Sequence, residues 1–253
     1  WANHPFAPQH QRTLPTRNRC AFLELVEEDF GRSSTKINHW MANRTNDAKV
    51  PLIGIDRHRI ATDGHGVTTL VGFFGCPLRC KLCLNDQCHD TRKRWRRLSP
   101  QALYDELKQD ELYFLATGGG VTFGGGEPCL QSRFIKAFRN ICGPAWNITV
   151  ETSLYVPQSH LRRLLNVVNT YIVDIKDLNP DIYLEYTHKD IGLLKENLQW
   201  LAAHVAKENI FVRVPSIPNH NTPANIEYSI EELKKLGLVN IERFDYIIPK
   251  QLK

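Results

Sequence analysis

Three cysteines fall within eight residues, Cys76, Cys80 and Cys83, in the segment Gly75-Cys76-Pro77-Leu78-Arg79-Cys80-Lys81-Leu82-Cys83. At C-x3-C-x2-C spacing a single loop can present three thiolates to one inorganic centre. A cubane iron–sulfur cluster has four irons, so three cysteines leave one iron open to a substrate. Zinc is the simpler rival, with Cys88 or His89 closing a four-ligand site. Zinc ribbons usually pair two such knuckles, whereas the fourth candidate here trails in an unpaired position. The spacing favours a cluster without excluding zinc. The total of seven cysteines is odd, which suits metal-binding thiolates better than a disulfide framework. Cys129 and Cys142 read as core residues, the usual fate of free cysteine.

Other polar clusters recur further along the chain, each beside a short β-branched or aromatic run. Gly124-Gly125-Gly126-Glu127 follows Val121–Phe123, Glu151-Thr152 closes the next run, Asp174-Ile175-Lys176 closes another, and Arg213 lies within Ile210–Val214. Glycines admit close backbone approach to a ligand, and a carboxylate suits an ammonium. Taken singly, each cluster equally describes a strand-to-helix turn or an ordinary ion pair.

The elements that must position these groups read as alternating strands and helices from about Val50. Candidate strands are Val67–Phe74, Val121–Phe123, Ile148–Glu151, Tyr171–Asp174, Ile210–Val214 and Phe244–Ile248. Helix starts are marked by Ser99-Pro100, Asn179-Pro180 and Thr222-Pro223, each a cap followed by a first-turn proline. Leu98 and Leu103 are placed as a hydrophobic staple, and Gly237 stands where a C-terminal glycine belongs. Leu194, Leu198, Leu201 and Val205 line one face of a helix over 191–205. Helical crossovers imply a parallel sheet, so the expected fold is α/β, a partial (β/α)6 barrel with outer helices. Sites in such folds gather at the carboxyl ends of the strands, and every cluster above would open onto that rim.

Composition removes other classes. At 253 residues, 42% hydrophobic and 23% charged, the chain is neither disordered nor too small for a core. No apolar run approaches the roughly 18 residues of a membrane helix. A net charge of +5 is too mild to imply nucleic acid. The basic run Arg92-Lys93-Arg94-Trp95-Arg96-Arg97 reads first as a solvated face before the helix at Ser99, second as a dock for an acidic protein, and only third as a nucleic-acid contact. Residues 1–48, rich in Pro, Arg, His and Asn, read as an N-terminal extension outside the domain of 49–253, with the working polypeptide expected to start near Met41.

The cysteine segment, with Asp63-Gly64-His65-Gly66 upstream, resembles the radical S-adenosylmethionine (SAM) superfamily, and within it the activating enzymes of glycyl-radical enzymes. Val121-Thr122-Phe123-Gly124-Gly125-Gly126-Glu127-Pro128 resembles the family's GGE element. Glu151-Thr152-Ser153 resembles its acidic-Thr element, Asp174-Ile175-Lys176 its D-x-K element, and Arg213-Val214-Pro215-Ser216-Ile217-Pro218 its R-x-P-x-I-P stretch. The sequence departs from the family pattern at Leu82, where an aromatic residue is common, and at His65, where proline is common.

The resemblance implies that Cys76, Cys80 and Cys83 hold one 4Fe–4S cluster whose open iron chelates SAM. It implies that Gly125, Gly126 and Glu127 hold the cofactor's amino end. Glu151, Thr152, Asp174, Lys176 and Arg213 would line the rest of its site, with a monovalent cation near the acidic residues. Reductive cleavage would give a 5′-deoxyadenosyl radical that takes hydrogen from a backbone glycine of a partner enzyme, so no catalytic side chain beyond the cluster is expected. The implied partners are a glycyl-radical enzyme and a flavodoxin or ferredoxin-type reductant, in an anaerobic cytoplasm. The alternatives are a radical SAM enzyme acting on a small molecule or another peptide, and a non-catalytic electron-transfer or zinc-stabilised interaction protein.

Overall fold

The computed structural model describes residues 48–60 and 62–246. The expected N-terminal extension, Cys20, Met41 and the far end of the strand expected at 244–248 lie outside the described residues. β-branched and aromatic runs build an eight-stranded sheet: β1 (Val50–Ile60), β2 (Val67–Phe73), β3 (Arg96–Leu98), β4 (Gly120–Gly125), β5 (Asn147–Thr152), β6 (Thr170–Asp174), β7 (Ile210–Ser216) and β8 (Asn240–Asp245). Their spatial order is β3-β1-β2-β4-β5-β6-β7-β8. From β2 to β8 every neighbouring pair is parallel, as the helical crossovers require.

Helices α1 (Pro100–Leu107), α2 (Glu111–Thr117), α3 (Ser132–Cys142), α4 (Gln158–Leu164), α5 (Pro180–Thr187), α6 (Gly192–His204) and α7 (Pro223–Lys235) fill the connections. The cap-plus-proline sites start helices where the sequence placed them. Ser99 accepts from the Ala102 amide, Asn179 from those of Asp181 and Ile182, and Thr222 shares a reciprocal capping box with Asn225. Gly237, at φ +73°, follows α7 and donates to the Lys234 carbonyl.

Two strands were not expected. β1 and β3 are antiparallel additions on the far side of β2. β1 carries the charged stretch Asp56-Arg57-His58-Arg59, and its register with β2 shifts twice, so it lacks the period-2 pattern that marks a strand. The last strand begins at Asn240 rather than Phe244. Its first residues pair with Phe211 and Val212 but stay partly exposed at the sheet edge, where polar residues are tolerated.

Alternation along the strands separates two faces. Val71, Phe73, Val121, Phe123, Ile148, Val150, Val173, Val212 and Val214 are buried in one core with the helices. Each strand buries apolar side chains on that face, worth about 1.5–3 kcal/mol apiece. The opposite face carries small and polar residues: Gly72, Thr122, Gly124, Glu151, Asp174 and Arg213. Closed barrels fill their interior with bulky branched side chains; here the inner face stays open above a floor. That floor is the Asp63–Gly66 loop. A Cβ at Gly64 would meet Thr149 Oγ1 at 3.1 Å, and Thr122 Oγ1 donates to the Asp63 carbonyl.

The connection after β5 is pinned from below by buried Asn197 of α6, whose Nδ2 donates to the carbonyls of Leu154 and Val156, both at 2.7 Å. Asn197→Ala leaves the Val156 carbonyl without its donor and the Leu154 carbonyl with only the Val156 amide, and unfolding in urea is expected to show a loss of about 1–3 kcal/mol.

Candidate functional site

The cysteine loop leaves β2 through Gly75, whose φ of +95° favours glycine. Backbone hydrogen bonds fix the loop at several points. Gly75 N donates to Cys88 O at 3.0 Å, Glu127 N to Gly75 O at 2.8 Å, and Gly126 N to Phe73 O at 2.9 Å. Farther on, Arg79 N donates to Thr187 O and Lys81 N to Tyr186 O, tying the loop to the end of α5. The hydroxyls of Tyr186 and Tyr246 both donate to the Leu82 carbonyl. Leu78 is buried beneath the loop, while Cys76, Cys80 and Cys83 remain partly exposed.

All three cysteines border one cleft of about 160 Å³ that opens to solvent. Its opposite wall includes Gly125, Gly126, Glu151, Thr152, Asp174, Lys176 and Arg213, drawn from the ends of β4, β5, β6 and β7. Of the residues singled out in the sequence, ten therefore meet in one cavity, and Glu127 alone turns away. Its carboxylate is buried, with Oε1 accepting from Cys129 N (3.0 Å) and Thr152 Oγ1 (2.7 Å) and Oε2 from Ser153 N (2.9 Å) and Ser153 Oγ (2.6 Å). Its acceptors are engaged in this arrangement by the turn at Pro128 and the end of β5. Glu127 also caps the short turn beginning at Pro128, the same cap-plus-proline signal that marks three helices.

Two ion pairs set the charge of the inner wall. Lys176 turns back on itself at φ +64°, and its ammonium donates to Asp174 Oδ2 at 2.5 Å. Burial alone would lower the lysine; Asp174 and the Cys80 thiol outweigh that and hold it well above its ordinary value. Arg213 Nη1 donates to Glu151 Oε1 at 2.6 Å and Nη2 to the Thr62 carbonyl at 2.6 Å. Burial raises the Glu151 carboxyl, Arg213 pulls it back, and the nearby carboxylates Asp63 and Asp174 push it up again. Asp174 Oδ1 is buried without a hydrogen-bond partner, an acceptor with capacity to spare beside the cleft.

The thiols respond to their surroundings unequally. Burial raises Cys80 to about 11 and raises Cys76 as well, whereas a hydrogen bond from the Cys88 thiol lowers Cys83 to about 7. Among the described residues no three His, Cys, Asp or Glu side chains converge as a single metal ion requires. Three sulfur donors of one loop line a cleft that Asp174, with its unsatisfied Oδ1, also lines. Cys88 is buried behind Cys83 and outside the cleft, and Cys129 is fully buried.

Sequence reasoning did not anticipate Tyr186, Tyr246 and Phe244. They pack with Ile217 against Cys80, Leu82 and Leu84, and Phe244 and Tyr246 line the cleft itself. Nothing local in the sequence marks them, because each is brought in from a distant element.

A sequence model of the radical SAM superfamily matches residues 70–222. The chain is 37% identical over 152 residues to a (2S)-3-sulfopropanediol dehydratase activating enzyme of Klebsiella oxytoca, covering 58% of this chain and 47% of that protein. It is 35% identical over 134 residues to a pyruvate formate-lyase-activating enzyme of Listeria monocytogenes, covering 50% of this chain and 54% of that protein. The chain thus spans about half the length of these relatives. Streptococcus suis SuiB bound to S-adenosylmethionine shares the fold, with a TM-score of 0.54 at 13% identity over 69% of this chain and 39% of that one.

Glu127→Gln directs an amide N–H₂ at groups that already donate. Its unfolding midpoint in urea is expected to fall by the equivalent of about 1–3 kcal/mol, and an unchanged midpoint would count against the scaffolding role.

Proposed function

The chain belongs to the radical SAM superfamily, and from that premise we propose that it is an activating enzyme that installs a glycyl radical on a partner enzyme. One observation carries the reading: the three partly exposed thiols of a single loop face Asp174–Lys176, Glu151–Arg213 and the Gly125–Gly126 turn across one cleft. Fold likeness alone would not support a function; this donor set in this arrangement does.

In this reading Cys76, Cys80 and Cys83 hold a 4Fe–4S cluster and leave one iron for SAM. Bound there, the cluster and SAM would supply the one-electron radical chemistry by which hydrogen would be taken from a glycine of the partner. The chain's own residues bind and orient. Gly125 and Gly126 expose backbone to the amino end of SAM, since neither position carries a side chain to block approach. Lys176 offers its ammonium to the carboxylate of SAM, and Asp174 Oδ1 offers its unspent acceptor capacity to a monovalent cation. Arg213, fixed by Glu151 and Thr62, and Thr152, fixed by Glu127, shape the remaining wall. Holding the reactants together in one pre-formed geometry accounts for most of what the protein must contribute.

The support for an activating enzyme over other radical SAM chemistries is the D-x-K element at the end of β6 and the activating enzymes among the relatives. Anaerobic reconstitution is expected to give broad iron–sulfur absorption, and dithionite with SAM is expected to release 5′-deoxyadenosine. Alanine at Cys76, Cys80 or Cys83 should abolish both. A glycyl-radical EPR doublet should then appear on a candidate partner enzyme. A colourless protein with stoichiometric zinc would overturn the reading, and 5′-deoxyadenosine release without a doublet on any glycyl-radical enzyme would point to a small-molecule substrate.

A further inference from the structure

The formal charge of the chain is unevenly placed. Residues 75–98 hold seven of its 32 Lys and Arg and two of its 27 Asp and Glu, a net of +5 that equals the net charge of the whole protein. The remaining sequence is balanced. Arg79, Lys81, Arg92, Lys93, Arg94, Arg96 and Arg97 are all exposed. Lys81 pairs with Glu185, Arg92 with Asp90 and Arg96 with Glu106. Arg97 donates to the Lys49 carbonyl and Lys93 lies over the Trp95 ring, contacts that leave their charge uncompensated. Asp86 and Asp90 are the only acidic residues of the segment.

This charge lies beside the thiols. β3 pairs with β1 so that Arg96 sits opposite Leu52, which in turn pairs with Phe73, three residues before Cys76. Trp95 packs on Phe74 with ring centroids 5.9 Å apart, and the Cys88 carbonyl holds Gly75. The cysteine loop is therefore a wall with two sides. Cys80, Leu82, Cys83 and Leu84 line the cleft, while Arg79 and Lys81 face solvent.

We propose that the basic outer surface formed by Arg79 and the Arg92–Arg97 arm is the landing site for an acidic one-electron carrier protein that reduces the centre held by Cys76, Cys80 and Cys83. The proposal rests on the cluster reading above. One electron leaves the reduced carrier, which is thereby oxidised by one electron, and enters the cluster; no bond is made or broken. Approach from the outer side leaves the cleft and inner face clear for SAM and substrate. Opposite charge accelerates such encounters and orients them. A nucleic acid is less well served by this surface. Trp95 is half-buried, its indole N–H donates to the Asp90 carbonyl, and its ring is already engaged by Phe74 and Lys93, which leaves no free face for stacking bases.

The test uses the reconstituted full chain and an acidic flavodoxin as probe. Binding is measured by fluorescence anisotropy across ionic strength, and cluster reduction by anaerobic stopped-flow bleaching. Photoreduced 5-deazaflavin, a small reductant, serves as the control. The wild type should lose at least about 10-fold in affinity between low and moderate salt. The exposed triple variant Arg92→Glu/Lys93→Glu/Arg94→Glu should weaken flavodoxin binding and slow its electron delivery by about 10-fold or more, with the Gln triple variant intermediate. Its cluster absorption and its reduction by deazaflavin should stay within about twofold of wild type. A normal cluster with unchanged flavodoxin binding and reduction would overturn this inference alone. Equal slowing with deazaflavin would do the same, by placing the effect in the cluster. Tighter binding of a single-stranded oligonucleotide than of flavodoxin, lost in the same variants, would reassign the surface to nucleic acid. Absence of iron–sulfur absorption in the wild type would overturn both this inference and the parent reading.

Discussion

The site depends on one close backbone approach, between the chain leaving β2 and the chain leaving β4. Gly126 N reaches Phe73 O and Glu127 N reaches Gly75 O. A Cβ at Gly126 would lie 2.2 Å from the Gly75 carbonyl oxygen, and one at Gly125 would lie 2.7 Å from the Gly72 Cα. Only glycine permits these contacts, and without them the cysteine loop would not lie against the inner wall. Gly126 is therefore required by packing whether or not a cofactor is bound, and so the glycine run by itself was weak evidence of a ligand. Its function follows from its consequence, which is to hold three thiols at a fixed place above the strand ends.

From that junction the constraint passes to β5 through Glu127. Four hydrogen bonds to a buried carboxylate, from Cys129, Thr152 and Ser153, make it a connector between the second and third parallel strands. Hydrogen bonds to a charged acceptor are among the stronger ones in proteins, and a buried carboxylate is stable only when so satisfied. The ion pairs deeper in the cleft differ in kind. Asp174–Lys176 and Glu151–Arg213 sit partly buried with Asp63 close by, so each carboxylate feels its neighbours as well as its cation. Such an arrangement contributes little to folding stability, because desolvation offsets attraction. Both pairs line the cleft, where their charges are available to a ligand.

The sequence made the rim legible for a specific physical reason. The parallel strands β2 and β4 to β7 are short runs rich in buried Val, Ile, Phe or Tyr, and the polar residue that ends each must stand where burial stops. Cys76, Gly125, Glu151 and Asp174 could thus be ordered along one edge before any coordinates. β1 was not legible because Asp56–Arg59 face partners across a shifted antiparallel register, and Arg57 and His58 reach the buried Asp110. Nor was the direction of Glu127, since a carboxylate after a glycine turn can meet a ligand's ammonium or the amides of its own chain equally well. The discriminating signal was present in Pro128, which makes Glu127 a cap, and it had been used at Ser99, Asn179 and Thr222. Tyr186 and Tyr246 were beyond reach, because their contact with Leu82 spans more than a hundred residues of sequence.

The two sides of the cysteine loop impose different demands, and the residue types divide accordingly. The cleft side must exclude competing water and grip a zwitterion, and it carries paired charges, glycine backbone and the aromatic edge of Tyr246 and Phe244. The solvent side carries long exposed cations, several of them ion-paired, around the half-buried Trp95. A loop that served only as a zinc knuckle would need neither side differentiated, since its metal would be closed by four ligands and its surface would be free to drift. Here the loop is fixed by backbone bonds to β4, to Cys88 and to α5, so that both sides are held in register with the thiols between them. That fixation holds the three thiols at one place relative to β4, Cys88 and α5.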